Sequence, residues 1–261
     1  MNGPLLIVAA VEGELAGLGA DLREPRESSL CGRHFRAGWL HGVPVRLLVS
    51  GPGMANAVQA TAVAAARERP GAILTLGCAG AFADAGLGVG DVALADMAVE
   101  LHLGLEPADG GIVPDPLPFP VLPENDGEPG TSAGRYPCHG PWLREAAAVL
   151  GGAFAGKCGF AVGPILTVST VTTSDARAAA LFHRLRPVME AMEGAGVAHV
   201  AAVHRIPFLE LRAAANFVGR RERERWNLPL AFERCAEAVR RMLAAGAVPG
   251  LGVPATNPLT E

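Results

Sequence analysis

The stretch PLLIVAAV, residues 4 to 11, is a short continuous apolar run, the pattern of a β-strand buried on both faces. AILTLGCAGAF, residues 72 to 82, repeats the pattern and runs into a glycine-rich loop. Strands of this kind need helices on both sides of their sheet, which restricts the chain to a layered α/β architecture. With 261 residues, half of them hydrophobic, the chain is long enough to bury one large core as a single domain.

The remaining segments fit that frame. HFRAGWL and VPVRLLVS, separated by His41-Gly42, read as a hairpin. GPGMANAVQATAVAAARERP reads as a glycine turn and then an Ala-rich helix stopped by Pro70. GDVALADMAVE and FAVGPILTVSTV read as strands, and WLREAAAVLG as a helix. SDARAAALFHRLRP reads as a helix capped by Ser174 or Asp175, AMEGAGVAHVAAVHR as a helix, IPFLELRAA as a strand, and residues 226–245 as a closing helix. Residues 103–141 are rich in Pro, Gly and acids and have no periodicity, so they read as one long loop. The expected architecture is a three-layer α/β/α domain over residues 1–246 with a central mixed sheet, followed by a Gly/Pro-rich tail at 247–261.

Composition excludes several function classes. A net charge of −4 provides no sequence-wide basic field for nucleic acid or anionic membrane. The five cysteines (Cys31, Cys78, Cys138, Cys158, Cys235) are odd in number and form no C-x-x-C pair, which points to reduced thiols in a cytoplasmic protein. No His/Cys cluster has zinc spacing, so neither a metal nor another cofactor is expected. The N-terminal stretch lacks a basic region and meets Glu12 and Glu14 too early for a signal peptide, and no apolar run approaches a membrane span.

In α/β sheets, ligands gather at the loops beyond the strand C-termini. Here those loops carry Glu12 and Glu14, SGPGMAN, GCAGAF, VSTVTTSD and RAAANFVG. GPGMAN is not a dinucleotide fingerprint, because its third glycine is missing, and no Gly-Lys-Ser/Thr follows to make a phosphate loop. Cys78 has no His at a partner spacing and reads as a small packed residue. Glu12 reads as a favourable charge on a helix N-terminus. Glu193 is different: small apolar residues surround it in AMEGAGVAHV, and an acid in that setting needs hydrogen-bond donors or a partner. Asn216 ends an apolar strand where a turn-forming side chain is the simplest explanation. GRRERERW, with Arg220, Arg221, Arg223 and Arg225 interleaved with Glu222 and Glu224, follows it at once.

Taken in order and spacing, AAVEGELAGL, SGPGMANA, GCAGAFADAGLGVGDVALAD and EAMEGAGVAHV…IPFLELRAAAN resemble the nucleoside phosphorylase superfamily. The resemblance covers most of residues 5–240 and is closest to the nucleosidase branch, which includes methylthioadenosine/S-adenosylhomocysteine nucleosidase. Those nucleosidases end the equivalent strand in Ser-Asp, whereas this chain has Ala215-Asn216 and then Val-Gly, arginines and a Trp. That ending is similar to the futalosine hydrolases, which remove hypoxanthine from futalosine on a menaquinone pathway.

The resemblance implies a role for each residue. Glu14 would orient and deprotonate the attacking water, Glu193 would hold the ribose hydroxyls, and Met192 would pack beneath the sugar. Thr172 and Thr173 would line the base, with Cys78, Ala79 and Gly80 in the loop beside it. Asn216 would read the base, since a carboxamide can donate to O6 and accept from N7–H of hypoxanthine. Arg221, or another arginine of its cluster, would take the carboxylate of futalosine's aromatic arm. The family also implies a homodimer or higher homo-oligomer. Purine nucleoside phosphorylase, a methylthioadenosine-type nucleosidase and a non-catalytic nucleoside-binding protein remain alternatives at this level.

Overall fold

The computed structural model describes residues 3–122 and 134–249. Residues 250–261 of the tail and 123–133 of the Pro/Gly-rich loop lie outside the described residues. The elements run β1 (Leu5–Ala9), α1 (Glu12–Ala20), β2 (Arg23–Leu30), β3 (Arg33–Leu40), β4 (Val43–Val49), α2 (Met54–Arg67), β5 (Ala72–Ala81), β6 (Val92–Glu100), β7 (Arg135–Pro137), α3 (Gly140–Phe154), β8 (Phe160–Thr167), α4 (Asp175–Leu185), β9 (Met189–Ala191), α5 (Gly194–Val203), β10 (Phe208–Phe217) and α6 (Leu228–Ala244).

The ten strands of the described residues join one mixed sheet. β1 pairs in parallel with both β4 and β5, and β5 pairs in parallel with β10. β10 also meets β6, which continues through β8 and β9 back to β5, so five strands close on themselves while β1, β4, β3 and β2 extend as an open arm. Every residue of β1 is buried, as its unbroken apolar run requires. The helices pack in two groups, α1 and α3 against α6, and α2 against α5. α6 shows how the sequence builds one: Asn227 Oδ1 accepts from the Leu230 N–H (3.1 Å), and Ala231, Cys235, Ala238, Val239 and Met242 then recur on one buried face. Among the described residues, no helix is long and apolar enough to cross a membrane.

Three elements differ from the sequence expectation. REPRESSL forms β2, which extends the hairpin to three strands; all its residues but Leu30 are exposed, so it has no alternating apolar face to reveal it. Met189–Ala191 form a short strand that pairs with both β5 and β8, so the helix expected from Ala191 opens only at Gly194. RYP at 135–137 pairs with β6 inside the segment read as a loop.

Candidate active site

β1 ends where α1 begins, and this junction sets Glu14. Its carboxylate accepts from the Ala10 N–H (2.9 Å) and the Val11 N–H (3.2 Å) through Oε2, and from the Cys78 N–H (2.9 Å) through Oε1. Glu14 is buried, and its bonds join two parallel neighbours, β1 and β5, at their C-terminal ends. Gly77 must be glycine here: a side chain would fall on the carboxylate of Glu14 and on the guanidinium of Arg212. Glu12, two residues earlier, points elsewhere and is held by His34 (2.8 Å) and Arg36 on β3.

Glu193 is the N-cap residue of α5. Oε1 accepts from the Gly53 N–H (2.9 Å), and Oε2 from the Met192 N–H and from Arg212 Nη1, both at 3.3 Å. The bond to Gly53 depends on the turn SGPGM, in which Gly51 and Gly53 have φ of 88° and 89°, values that side chains disfavour. Glu193 therefore has the donors that its apolar surroundings demanded.

Sequence reasoning missed the cation that is bonded to Glu193 and acts on Glu14 through its charge. Arg212, on β10, is 1 % exposed; its Nε donates to Glu210 Oε1 (2.9 Å) and its Nη1 to Glu193. Burial works against its charge, but Glu210, Glu193 and Glu14 more than offset that and hold it above its ordinary range. Its Nη2 is buried without a protein partner among the described residues. A signal existed in LELR: an acid and a base two residues apart on a strand share one face, and in an otherwise apolar run they must satisfy one another. Beside this network, burial first and Glu14 second push the Cys78 thiol far up, so it stays protonated and is no nucleophile.

Asn216 owes its position to a β-bulge. β10 follows β5 in register from Phe208↔Ile73 to Ala214↔Ala79, then skips Ala215 so that Asn216 faces Gly80. The strand continues one residue beyond Asn216, to Phe217. One N–H of the Asn216 carboxamide donates to the Phe217 carbonyl (2.8 Å), while its second N–H and Oδ1 have no protein partner among the described residues. A turn-forming bond and an open donor–acceptor edge thus coexist.

The other candidates divide. Cys78, Ala79 and Gly80 lie on β5 between the Glu14 end and Asn216. Met192 is half-buried, directly before Glu193. Thr172 is buried, its N–H and hydroxyl both donating to Glu190 (2.9 and 2.7 Å), whereas Thr173 is exposed. Arg220 and Arg225 pair with Asp175 and Glu222, but Arg221 lies 4.9 Å over the Trp226 ring and has no carboxylate partner among the described residues.

The Phosphorylase superfamily model matches residues 4–245. The chain belongs to that superfamily. Among curated relatives, futalosine hydrolase of Streptomyces coelicolor is 38 % identical over 202 residues, 75 % of this chain and 77 % of that protein. Futalosine hydrolase of Acidothermus cellulolyticus is 34 % identical over 255 residues, 97 % of this chain and 95 % of that one. Among solved structures, a methylthioadenosine/S-adenosylhomocysteine nucleosidase from Colwellia psychrerythraea in complex with adenine superposes with a TM-score of 0.78 at 23 % identity, covering 94 % of this chain and 96 % of that one. That likeness concerns the fold, and it agrees with the superfamily's mixed α/β architecture.

Proposed function

We propose that this chain is a nucleosidase that hydrolyses the N-glycosidic bond of futalosine, releasing hypoxanthine and dehypoxanthine futalosine. The observation that carries the reading is the open carboxamide edge of Asn216 at the rim, beside the buried Glu14–Arg212–Glu193 network. Three curated futalosine hydrolases that the chain resembles over three quarters or more of its length support it.

The chemistry follows from charge. As the C1′–N9 bond breaks, its electron pair leaves with the base and positive charge builds on the ribose. Glu14 takes a proton from a water, whose oxygen attacks C1′. Glu193, fixed by Gly53 and Arg212, accepts from the ribose hydroxyls. The departing base takes a proton from solvent at N7, and Asn216 receives that N7–H on Oδ1 while its free N–H donates to O6. An ionised Asp at 216 would set acceptor against acceptor at O6. The same sign argument disfavours phosphorolysis, since Glu14 would repel an attacking phosphate; release of hypoxanthine should therefore be independent of added phosphate.

Asn216→Asp tests the reading. Leaving a hydrogen-bonding edge unmatched costs about 1–3 kcal/mol, or roughly 10- to 100-fold in preference. The ratio of kcat/KM for futalosine to that for aminodeoxyfutalosine, its adenine counterpart, is expected to fall by that factor. An unchanged ratio would leave Asn216 as a strand-end residue only.

Arg221 gives a second test. It stacks on Trp226, and no acid among the described residues pairs with its guanidinium, which suits it to the carboxylate of the substrate's aromatic arm. Arg221→Ala should raise KM for futalosine several-fold more than for inosine, which has no such arm. Equal effects on both substrates would assign it a structural role.

A further inference from the structure

The peptide between Pro52 and Gly53 is held from both of its polar ends. Its N–H donates to Glu193 Oε1 (2.9 Å), and its carbonyl accepts from Nδ2 of Asn56 (2.7 Å), in the first turn of α2. Glu193 Oε2 has two donors, the Met192 N–H and Arg212, but among the described residues Oε1 has this one alone. The aim of the carboxylate therefore depends on which way a single peptide plane faces.

That plane is easy to turn, because Gly53 tolerates either sign of φ. The chain is fixed on each side, by the Gly51 N–H on the Ala10 carbonyl (3.0 Å) and the Ala57 N–H on the Gly53 carbonyl (3.1 Å). Neither bond fixes the plane between them. A flip would set the Pro52 carbonyl against Glu193, acceptor against acceptor. Asn56 opposes the flip, since its N–H is satisfied only while that carbonyl stays where it is. Arg33, at the start of β3, decides which end of the carboxamide faces Pro52. Its Nη2 donates to Asn56 Oδ1 (2.6 Å), which leaves Nδ2 for the carbonyl. Both side chains lean on Gly51, where a Cβ would come within 2.5 Å of Arg33 Nη1 and 3.3 Å of Asn56 Nδ2.

We infer that Asn56, oriented by Arg33, is a positioning residue for Glu193: it locks the Pro52–Gly53 peptide with its N–H toward the carboxylate. The inference rests on the proposed function for what Glu193 then holds, the ribose hydroxyls, and adds how the carboxylate is aimed at them.

Asn56→Leu, close in size but without polar atoms, frees the Pro52 carbonyl and supplies no new partner. Amide hydrogen exchange by NMR reads the peptide directly. Exchange at Gly53 is expected to rise roughly three- to tenfold, the worth of one hydrogen bond, while exchange at Ala57, one turn into α2, stays unchanged. Calorimetry then compares inosine with 2′,3′-dideoxyinosine. Wild type should prefer inosine by roughly 10- to 100-fold, as hydrogen bonds to a charged group warrant, and Asn56→Leu should lower that preference at least about threefold. Arg33→Met, which leaves α2 intact and only lets the carboxamide turn, should move both readouts in the same direction. If Gly53 exchange and the preference are unmoved, or if Gly53 and Ala57 lose protection equally, Asn56 only starts the helix and the inference is overturned. Equal binding of the two nucleosides by wild type would instead overturn the ribose role of Glu193 in the proposed function, and exchange at Gly53 would still decide the inference.

Discussion

Glu14→Gln is expected to lower kcat by roughly 10²- to 10⁴-fold while changing KM little, because a positioned general base contributes about that much. The substitution isolates the proton transfer. Gln keeps the length of the side chain, and its amide oxygen, set where Oε2 now lies, can still accept from the Ala10 and Val11 N–H groups, leaving only the Cys78 N–H bond unmade. What it loses is the ability to take a proton from water. The neighbours cannot take over: burial, the main cause that holds Cys78 as a thiol, is unchanged by the substitution, and Glu12 is turned outward to His34 and Arg36. Steady-state kinetics on futalosine, with thermal unfolding to show that the variant is folded, checks the expectation. Wild-type turnover in Glu14→Gln would move the base to another group.

Arg212→Met is expected to destabilise the protein by roughly 3–5 kcal/mol near neutral pH, the range found when one member of a buried ion pair is removed. Met fills similar volume, so the loss is mainly electrostatic. Glu210, fully buried, would lose both the charge and the hydrogen bond that now oppose the upward push of burial, and Glu193 would face it without a cation between them. The sign with pH follows. A carboxyl whose folded pKa lies above its unfolded value destabilises where it is ionised, and the penalty vanishes once pH falls below both values. The stability gap between wild type and Arg212→Met should therefore narrow from pH 7.5 to pH 5 in denaturant titrations. A gap that is small, or that widens on acidification, would mean that the network carries little of the fold's stability.

Both predictions concern a site whose parts were unequally legible. Glu193 stood out because no acid sits among Ala, Gly and Val without a donor, and three donors meet it. Arg212 and Glu210 stood in plain view in LELR, yet the strand's apolar pattern hid them, because a buried pair satisfies itself and leaves the hydropathy of the run nearly intact. Thr172 and Thr173 were indistinguishable as letters, but one is buried against Glu190 and the other is exposed. β2 was missed because both its faces are wet, and β9 because three residues are too few to show a period.

The sequence by itself determined the layered α/β class and the order of the principal strands and helices. These follow from periodicity and from glycine and proline punctuation, which act over a few residues and so are written locally. Only the tertiary structure decided which side chains meet. Glu14, Arg212 and Glu193 come from three segments far apart in the chain, joined through strand pairing and a guanidinium. The bulge at Ala215 decided more still: one skipped residue puts Asn216, and not Ala215, opposite Gly80. Side-chain direction in a strand has a period of two, so a shift of one residue changes which group faces the site. That shift comes from the pairing of β10 with β5, a long-range contact that no local pattern encodes.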